Sequence, residues 1–147
     1  MGTIIIMIGI QGSGKSKFCR QKFSENYEHI SLDELNTRNK EQIAIARCFS
    51  LGKSMVIDNT NPTKAERKKY ITQAKENGFK VVGYFMESKL QPCIERNNRR
   101  DGKEKIPAKA IAATSNKLEL PNYSEGFDEL YFVSIYNNGF VIEEWRE

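Results

Sequence analysis

The chain has 147 residues, of which 39% are hydrophobic and 29% charged, with a formal net charge of +4. That length suits one domain and would starve two of a core, and the composition argues against both a membrane span and disorder. Cys19, Cys48 and Cys93 are odd in number and far apart, which argues against a disulfide framework or a zinc knuckle and for a reduced, cytoplasmic, soluble protein.

From the N-terminus, Thr3–Ile8 is a continuous apolar run rich in β-branched residues, the pattern of a strand buried on both faces. It is too short for the apolar region of a signal peptide, and no basic residue precedes it. A helix is expected from Lys15 to about Phe23, a short strand at His29–Ser31, and a helix over Lys40–Leu51 closed by Gly52. Ser54–Asp58 reads as the next buried strand, followed by a helix from Thr63 to Asn77 that Pro62 introduces and Gly78 stops. Lys80–Phe85 is a further strand and Lys89–Arg99 a helix. Pro107 opens another helix to about Leu120, Leu130–Ile135 supplies a strand, and Gly139–Trp145 alternates as an edge strand would. Strands alternating with helices predict an α/β sandwich of three layers, with a mostly parallel central sheet. Ligands in such folds bind at the carboxyl ends of the strands, where Gly9, Asp33, Asp58 and Glu87 all fall.

Gly9 to Ser16 reads Gly, four residues, then Gly-Lys-Ser, the phosphate-binding loop pattern, with a strand before it and a helix after it. Glycines let the backbone close around phosphate oxygens, and the helix N-terminus adds positive potential. Gly9, Gln11, Gly12, Ser13, Gly14, Lys15, Ser16 and Lys17 are therefore the expected ATP-binding loop, with Lys15 reaching the β- and γ-phosphates and Ser16 ligating magnesium. The chain has no Asp-x-x-Gly or Asn-Lys-x-Asp string, which argues against a switch GTPase, and a motor ATPase needs more chain. A small phosphotransferase using ATP or another nucleoside triphosphate and Mg2+ fits best.

Such an enzyme needs a base beside the acceptor hydroxyl and cations around the transferred group. Asp33 follows the second strand and suits either a base or a helix N-cap; Asp58 ends the third and suits either a metal ligand or a turn. Residues 96–109 carry six basic side chains and two acidic ones. Arg96 and Arg100 would share a face of a continuing helix and could clamp phosphates as a lid, though a solvated loop has the same composition. Lys64, Arg67, Lys68 and Lys69 are either an extension of that basic surface or the wet face of a helix, while Phe18, Phe49 and Tyr70 are expected in the core. His29, the single histidine, is expected to be a strand residue without a catalytic part.

The loop motif, Ser31-x-Asp33-x-Leu35, the string Ile57-Asp-Asn-Thr-Asn-Pro62, Arg96-Asn-Asn-Arg-Arg100, and Glu119-Leu-Pro with Ser-Glu-Gly-Phe at 124–127 together resemble the polynucleotide 5′-hydroxyl kinase domain, in order, over residues 3–135. The resemblance implies a P-loop kinase fold with a helical lid at about 96–109, and transfer of the γ-phosphate of a nucleoside triphosphate to the 5′-hydroxyl end of DNA or RNA. It puts Asp33 in the role of general base, Lys15, Arg96 and Arg100 on the donor phosphates, and Ser16 and Asp58 at the metal. Asp33, Arg38 and Asn61 are expected to face the acceptor. The pattern departs at Asn36, where the family often carries an arginine for the acceptor's phosphate; Arg38 is the next arginine. A small hydroxyl acceptor such as a sugar, nucleoside or antibiotic is the alternative, and a non-catalytic ATP-binding module a more distant one. The chain shows no phosphatase module, so a separate phosphatase or ligase is the expected partner in end repair.

Overall fold

The computed structural model describes residues 2–102 and 105–147; Lys103 and Glu104, within the expected lid, lie outside the described residues. At its centre is β1 (Thr3–Ile8), buried from Ile4 to Ile8. Alternation along the strand sends Ile4, Ile6 and Ile8 to one face of the sheet, against Ile45 and Cys48 of α3 (Arg38–Leu51) and Tyr70, Ile71 and Ala74 of α4 (Lys64–Glu76). Ile5 and Met7 go to the other face, against Phe18 and Cys19 of α1 (Lys15–Lys22) and Phe23 just beyond it. A strand apolar from Ile4 onward is thus used on both faces, each isoleucine contributing about 1.5–3 kcal/mol by burial.

The sheet has six strands in the order β2-β3-β1-β4-β5-β6, with β2 at Glu28–Ile30, β3 at Met55–Ile57, β4 at Lys80–Met86, β5 at Glu129–Tyr136 and β6 at Gly139–Glu144. The first five in that order are parallel, and β6 closes the edge antiparallel to β5, so the expected three-layer α/β architecture is the one observed. Strand order reverses beside β1. Its carboxyl end therefore opens between diverging connections, the place where such sheets bind ligands.

Local chemistry sets the helix boundaries. Thr37 and Thr63 cap α3 and α4 by accepting from the N–H groups of Lys40 and Glu66, both at 3.1 Å, so α3 starts two residues earlier than the hydrophobic pattern suggested. A four-residue helix, α2 (Leu32–Leu35), was not expected at all. Ser31 caps it, accepting from the N–H of Asp33 at 3.2 Å, and Asn36 ends it in the left-handed region at φ 71°.

After β4 come α5 (Leu90–Asn98) and α6 (Ala108–Lys117), which pack on each other above the sheet's carboxyl rim around Cys93 and Ile111. Pro92 is tolerated in the first turn of α5, where no N–H is needed. The Asn97 side chain joins the two helices, donating to the carbonyl of Ile106 and accepting from its N–H at 2.9 Å.

Arg67 corrects one expectation. It is fully buried, not part of a basic surface. Its guanidinium forks onto Glu125 at 2.9 and 3.1 Å and donates to the carbonyl of Asn61 at 2.9 Å. Glu119 holds the same loop, its N–H donating to the carbonyl of Pro62 at 2.7 Å and its carboxylate accepting from the N–H of Lys64 at 3.0 Å. The distant strings 57–62 and 119–127 are therefore two halves of one clamp.

Candidate active site

The loop between β1 and α1 is folded to receive an anion. Gly12 and Gly14 adopt φ 81° and 96°, and a Cβ on Gly12 would lie 2.2 Å from the carbonyl oxygen of Cys93, so only glycine fits there. The N–H groups of Gly12, Gly14, Lys15 and Ser16 have no hydrogen-bond partner among the described residues. Ser13 is 1% exposed, yet its hydroxyl is buried without a hydrogen bond. Unsatisfied donors converging at a helix N-terminus fit phosphate oxygens. Lys15 folds back over this cradle, its Nζ donating to the carbonyls of Gly9 and Ile10 at 2.9 Å each. Burial lowers its pKa to about 8, with the Asp58 charge opposing and the Arg100 charge adding to the shift. Gln11 reaches sideways to Thr114 of α6 at 3.1 Å, and Lys17 is exposed.

Asp58 is the hub of the rim. Its Oδ2 accepts from the Ser16 hydroxyl at 2.8 Å and lies 2.8 Å from His29 Nε2. Burial alone would raise its pKa; the hydrogen bond from His29, the Lys15 charge and the Ser16 hydroxyl outweigh it, and the net shift is downward. An ionised carboxylate beside a hydroxyl is a hard-oxygen pair of the type magnesium takes, so Ser16 and Asp58 fit the ion expected of them. His29 sits on β2 as expected, but its ring joins this cluster. Its other nitrogen, Nδ1, is 3.0 Å from Glu34 Oε1. The hydrogen bond to Asp58 raises the pKa of His29 against the opposing effect of burial.

Asp33 lies one strand away, in α2. Because Ser31 is the cap, the Asp33 carboxylate is not needed for capping; it is exposed and has no partner among the described residues. What positions it is a buried polar network. The N–H of Leu32 donates to Asn59 Oδ1 at 3.0 Å, and Asn59 Nδ2 donates to Glu41 Oε2 at 2.8 Å. Glu41, 2% exposed, also accepts from Tyr70 at 3.0 Å and from Arg38 at 3.1 Å. Arg38 donates to Tyr70 as well, at 3.0 Å. The helix carrying Asp33 is thereby tied to the loop that follows Asp58.

Two expected site residues are placed differently. Asn61 is 4% exposed, and its amide donates to the carbonyl of Met7 at 2.8 Å; it holds the loop to the sheet and does not face an acceptor. Arg100 lies beyond α5, which stops at Asn98, so the shared helical face expected for Arg96 and Arg100 does not form. Arg96 still reaches the cradle, its Nε donating to the carbonyl of Gly12 at 2.6 Å, while the Arg100 charge is felt at Lys15, whose pKa it helps to lower.

Sequence reasoning missed Glu41, Asn59 and Ser88, whose hydroxyl accepts from the N–H of Ile10 at 3.1 Å. Asn59 stood inside a string already singled out. Glu41 and Ser88 carry no signal, because only the folded chain brings them against their partners.

Five parallel strands in the order 2-3-1-4-5, with the Gly9–Ser16 loop between the first strand and its helix, define a P-loop protein of the kinase-type fold. The model of the family described as AAA domain matches residues 4–121, and the chain belongs to that family. Among curated proteins, the putative bifunctional polynucleotide phosphatase/kinase of Acanthamoeba polyphaga mimivirus is 34% identical over 97% of this chain and 36% of its own length. The bifunctional polynucleotide phosphatase/kinase of Schizosaccharomyces pombe is 29% identical over 84% of this chain and 31% of its own. The chain thus spans about a third of the relatives it matches. Among solved structures, Chaetomium thermophilum Kti12 in complex with ADP-AlF3 superposes with a TM-score of 0.65 at 20% identity, covering 89% of this chain and 88% of that one. A gluconokinase from Sinorhizobium meliloti gives 0.59 at 20% identity, covering 90% and 82%. No helix of the described residues is long and apolar enough to cross a membrane.

Proposed function

We propose that the protein transfers the γ-phosphate of ATP to the 5′-hydroxyl end of a polynucleotide, with Asp33 as general base. The observation that carries this reading is the contrast at the rim: a cradle of unpaired N–H donors on one side and, across the Asn59 tether, an exposed carboxylate with no structural duty. The names of the two curated relatives support a polynucleotide as the acceptor.

In this reading the loop N–H groups, the Ser13 hydroxyl and Lys15 bind the triphosphate, and Lys15 exchanges two neutral carbonyls for phosphate oxygens. Ser16 and Asp58 would hold magnesium, which when bound neutralises charge on the phosphates. Arg96 leaves the Gly12 carbonyl to grip the donor, with Arg100 beside it, so that positive charge follows the phosphoryl group. Asp33 takes the proton of the attacking hydroxyl, and an exposed carboxylate with its lone pairs uncommitted suits an alcohol activated only as the bond forms. Arg38 stands two residues past Asn36, its guanidinium half-exposed, where an acceptor phosphate would pass. A separate phosphatase or ligase would complete end repair.

The test is transfer of label from γ-labelled ATP to single-stranded DNA, RNA, nicked duplex and a nucleoside 3′-phosphate. Transfer to at least one 5′-hydroxyl end is expected, slowed at least about a hundredfold by Asp33→Asn; no transfer to any of them overturns the reading. One observation favours a small hydroxyl acceptor instead: Asn36 replaces the expected phosphate-gripping arginine, and Arg38 is engaged by Glu41 and Tyr70. Rate then separates the two readings, because a polynucleotide acceptor gives a steep salt dependence and a neutral sugar does not.

A further inference from the structure

Beside the nucleotide cradle lies a cluster of which phosphoryl transfer, as proposed above, uses only Asp58. Cys19 of α1, His29 of β2 and Asp58 after β3 come from three separate elements, and one ligand atom from each lies within 4.8 Å of the others. We propose that this cluster binds a thiophilic divalent cation, zinc in the first instance, and that its occupancy excludes the magnesium–nucleotide complex because the two share Asp58 and the adjoining Ser16. The exclusion rests on the proposed reading of Ser16 and Asp58; the binding does not.

The donor set is the first argument. A thiolate, an imidazole and a carboxylate are three ligands of a tetrahedral zinc site, and the Ser16 hydroxyl, 2.8 Å from Asp58 Oδ2, or a water can complete it. Sulfur and nitrogen donors select against magnesium, which takes oxygen.

Spacing is the second. Bonds of about 2.0–2.3 Å to a tetrahedral ion put neighbouring donors about 3.3–3.6 Å apart. The His29–Asp58 pair, at 2.8 Å, has to open by about half an ångström, and Cys19, within 4.8 Å of both, has to close by up to about 1.2 Å; side-chain rotation is of the size to supply both.

The third is the outer shell. A metal-binding histidine commonly donates its second ring N–H to a carboxylate, which fixes the ring and its tautomer, and Glu34 Oε1 stands 3.0 Å from His29 Nδ1. Without metal, a proton between His29 and Asp58 does the work of the cation. Binding expels that Nε2 proton and the Cys19 thiol proton to solvent, leaving a cluster of one dication, one thiolate, one carboxylate and a neutral imidazole, which carries no net charge and so suits a buried position.

Cobalt(II) tests the site, since it takes zinc's geometry and reports sulfur ligation optically. Titrated into the reduced full chain without nucleotide, it is expected to give a sulfur-to-cobalt charge-transfer band saturating at one cobalt per chain. Cys19→Ser should abolish the band, Cys48→Ser should keep it, and Glu34→Gln should weaken cobalt binding about tenfold. His29→Gln, which guards against misfolding of the cysteine variant, should also weaken binding at least tenfold. Adding magnesium and ADP should bleach the wild-type band. No sulfur–cobalt band at saturating cobalt, or an undiminished band in Cys19→Ser, overturns the site; a band that survives magnesium and ADP overturns the exclusion. A chain that phosphorylates no acceptor would sink the proposed function and leave the cobalt band as it was.

Discussion

Two aspartates follow neighbouring strands at the same rim, and the protein treats them oppositely. Asp58 is 5% exposed, accepts from Ser16 and His29, and has its pKa held down by those partners against the cost of burial. Asp33 is exposed, one residue inside a short helix, with its capping duty taken by Ser31. A carboxylate meant to hold a cation gains from being fixed and permanently ionised. One meant to accept a proton must keep its lone pairs available, so its position has to be secured through the backbone instead. If Asp33 is the base proposed above, the Asn59 contact to the N–H of Leu32 does that.

The sharpest way to break this comparison is to neutralise each aspartate in turn. Asp33→Asn should lower the transfer rate by about 10²–10⁴-fold while leaving ATP affinity within about twofold, since the amide keeps the shape and loses only the base. Asp58→Asn should instead weaken binding of magnesium–ATP. Calorimetric ATP binding alongside single-turnover transfer checks both, and equal losses of affinity in the two variants would erase the distinction.

A second test attacks the backbone tether. Glu41 is buried, and its two carboxylate oxygens accept from Arg38, Tyr70 and Asn59. Glu41→Gln turns one acceptor into a donor facing donors, at a cost of about 1–3 kcal/mol, or a fall of several degrees in Tm for a chain this size. If Asn59 holds α2 for catalysis, transfer should fall further than the lost stability explains, measured well below Tm.

The sequence showed the sheet and the cradle because both are written locally. An unbroken apolar strand, two glycines at positive φ and a lysine after them need no distant partner to be recognised. The tether was hidden for the opposite reason. Glu41 looks like a first-turn helix acid, and only the packing of α3 on α4 turns it inward to Tyr70. Arg67 read as part of a basic surface because its neighbours Lys64, Lys68 and Lys69 are basic, and its partner Glu125 lies 58 residues away. His29 had no local signal either, since its role depends on β3 being inserted beside β2.

Lys15 sharpens the comparison on the donor side through pH. With its pKa lowered to about 8 by burial, the nucleotide-free protein loses this charge above pH 8, whereas a bound triphosphate favours the protonated form. Above pH 8 binding therefore takes up a proton, so ATP affinity should hold below pH 8 and fall by up to tenfold per pH unit above it. In Lys15→Arg, where the charge does not titrate, the profile over pH 7–9.5 should be flat, whatever its absolute affinity. A wild-type profile equally flat would mean that Lys15 stays charged in the empty loop.

The smallest expected effect bears on the acceptor. Asn36 closes α2 at φ 71°, a conformation that asparagine tolerates better than most side chains. Asn36→Arg therefore costs about 1 kcal/mol of backbone strain while adding one cation three residues past Asp33. If a polynucleotide passes this edge, the variant should lower the KM for an oligonucleotide a few-fold and steepen the salt dependence of KM by about one phosphate contact. The rate with saturating acceptor should stay unchanged, because the added charge touches a non-reacting phosphate. An unaltered KM for every oligonucleotide, with normal folding, would place the acceptor's phosphates elsewhere and leave Arg38 as the group to remove next.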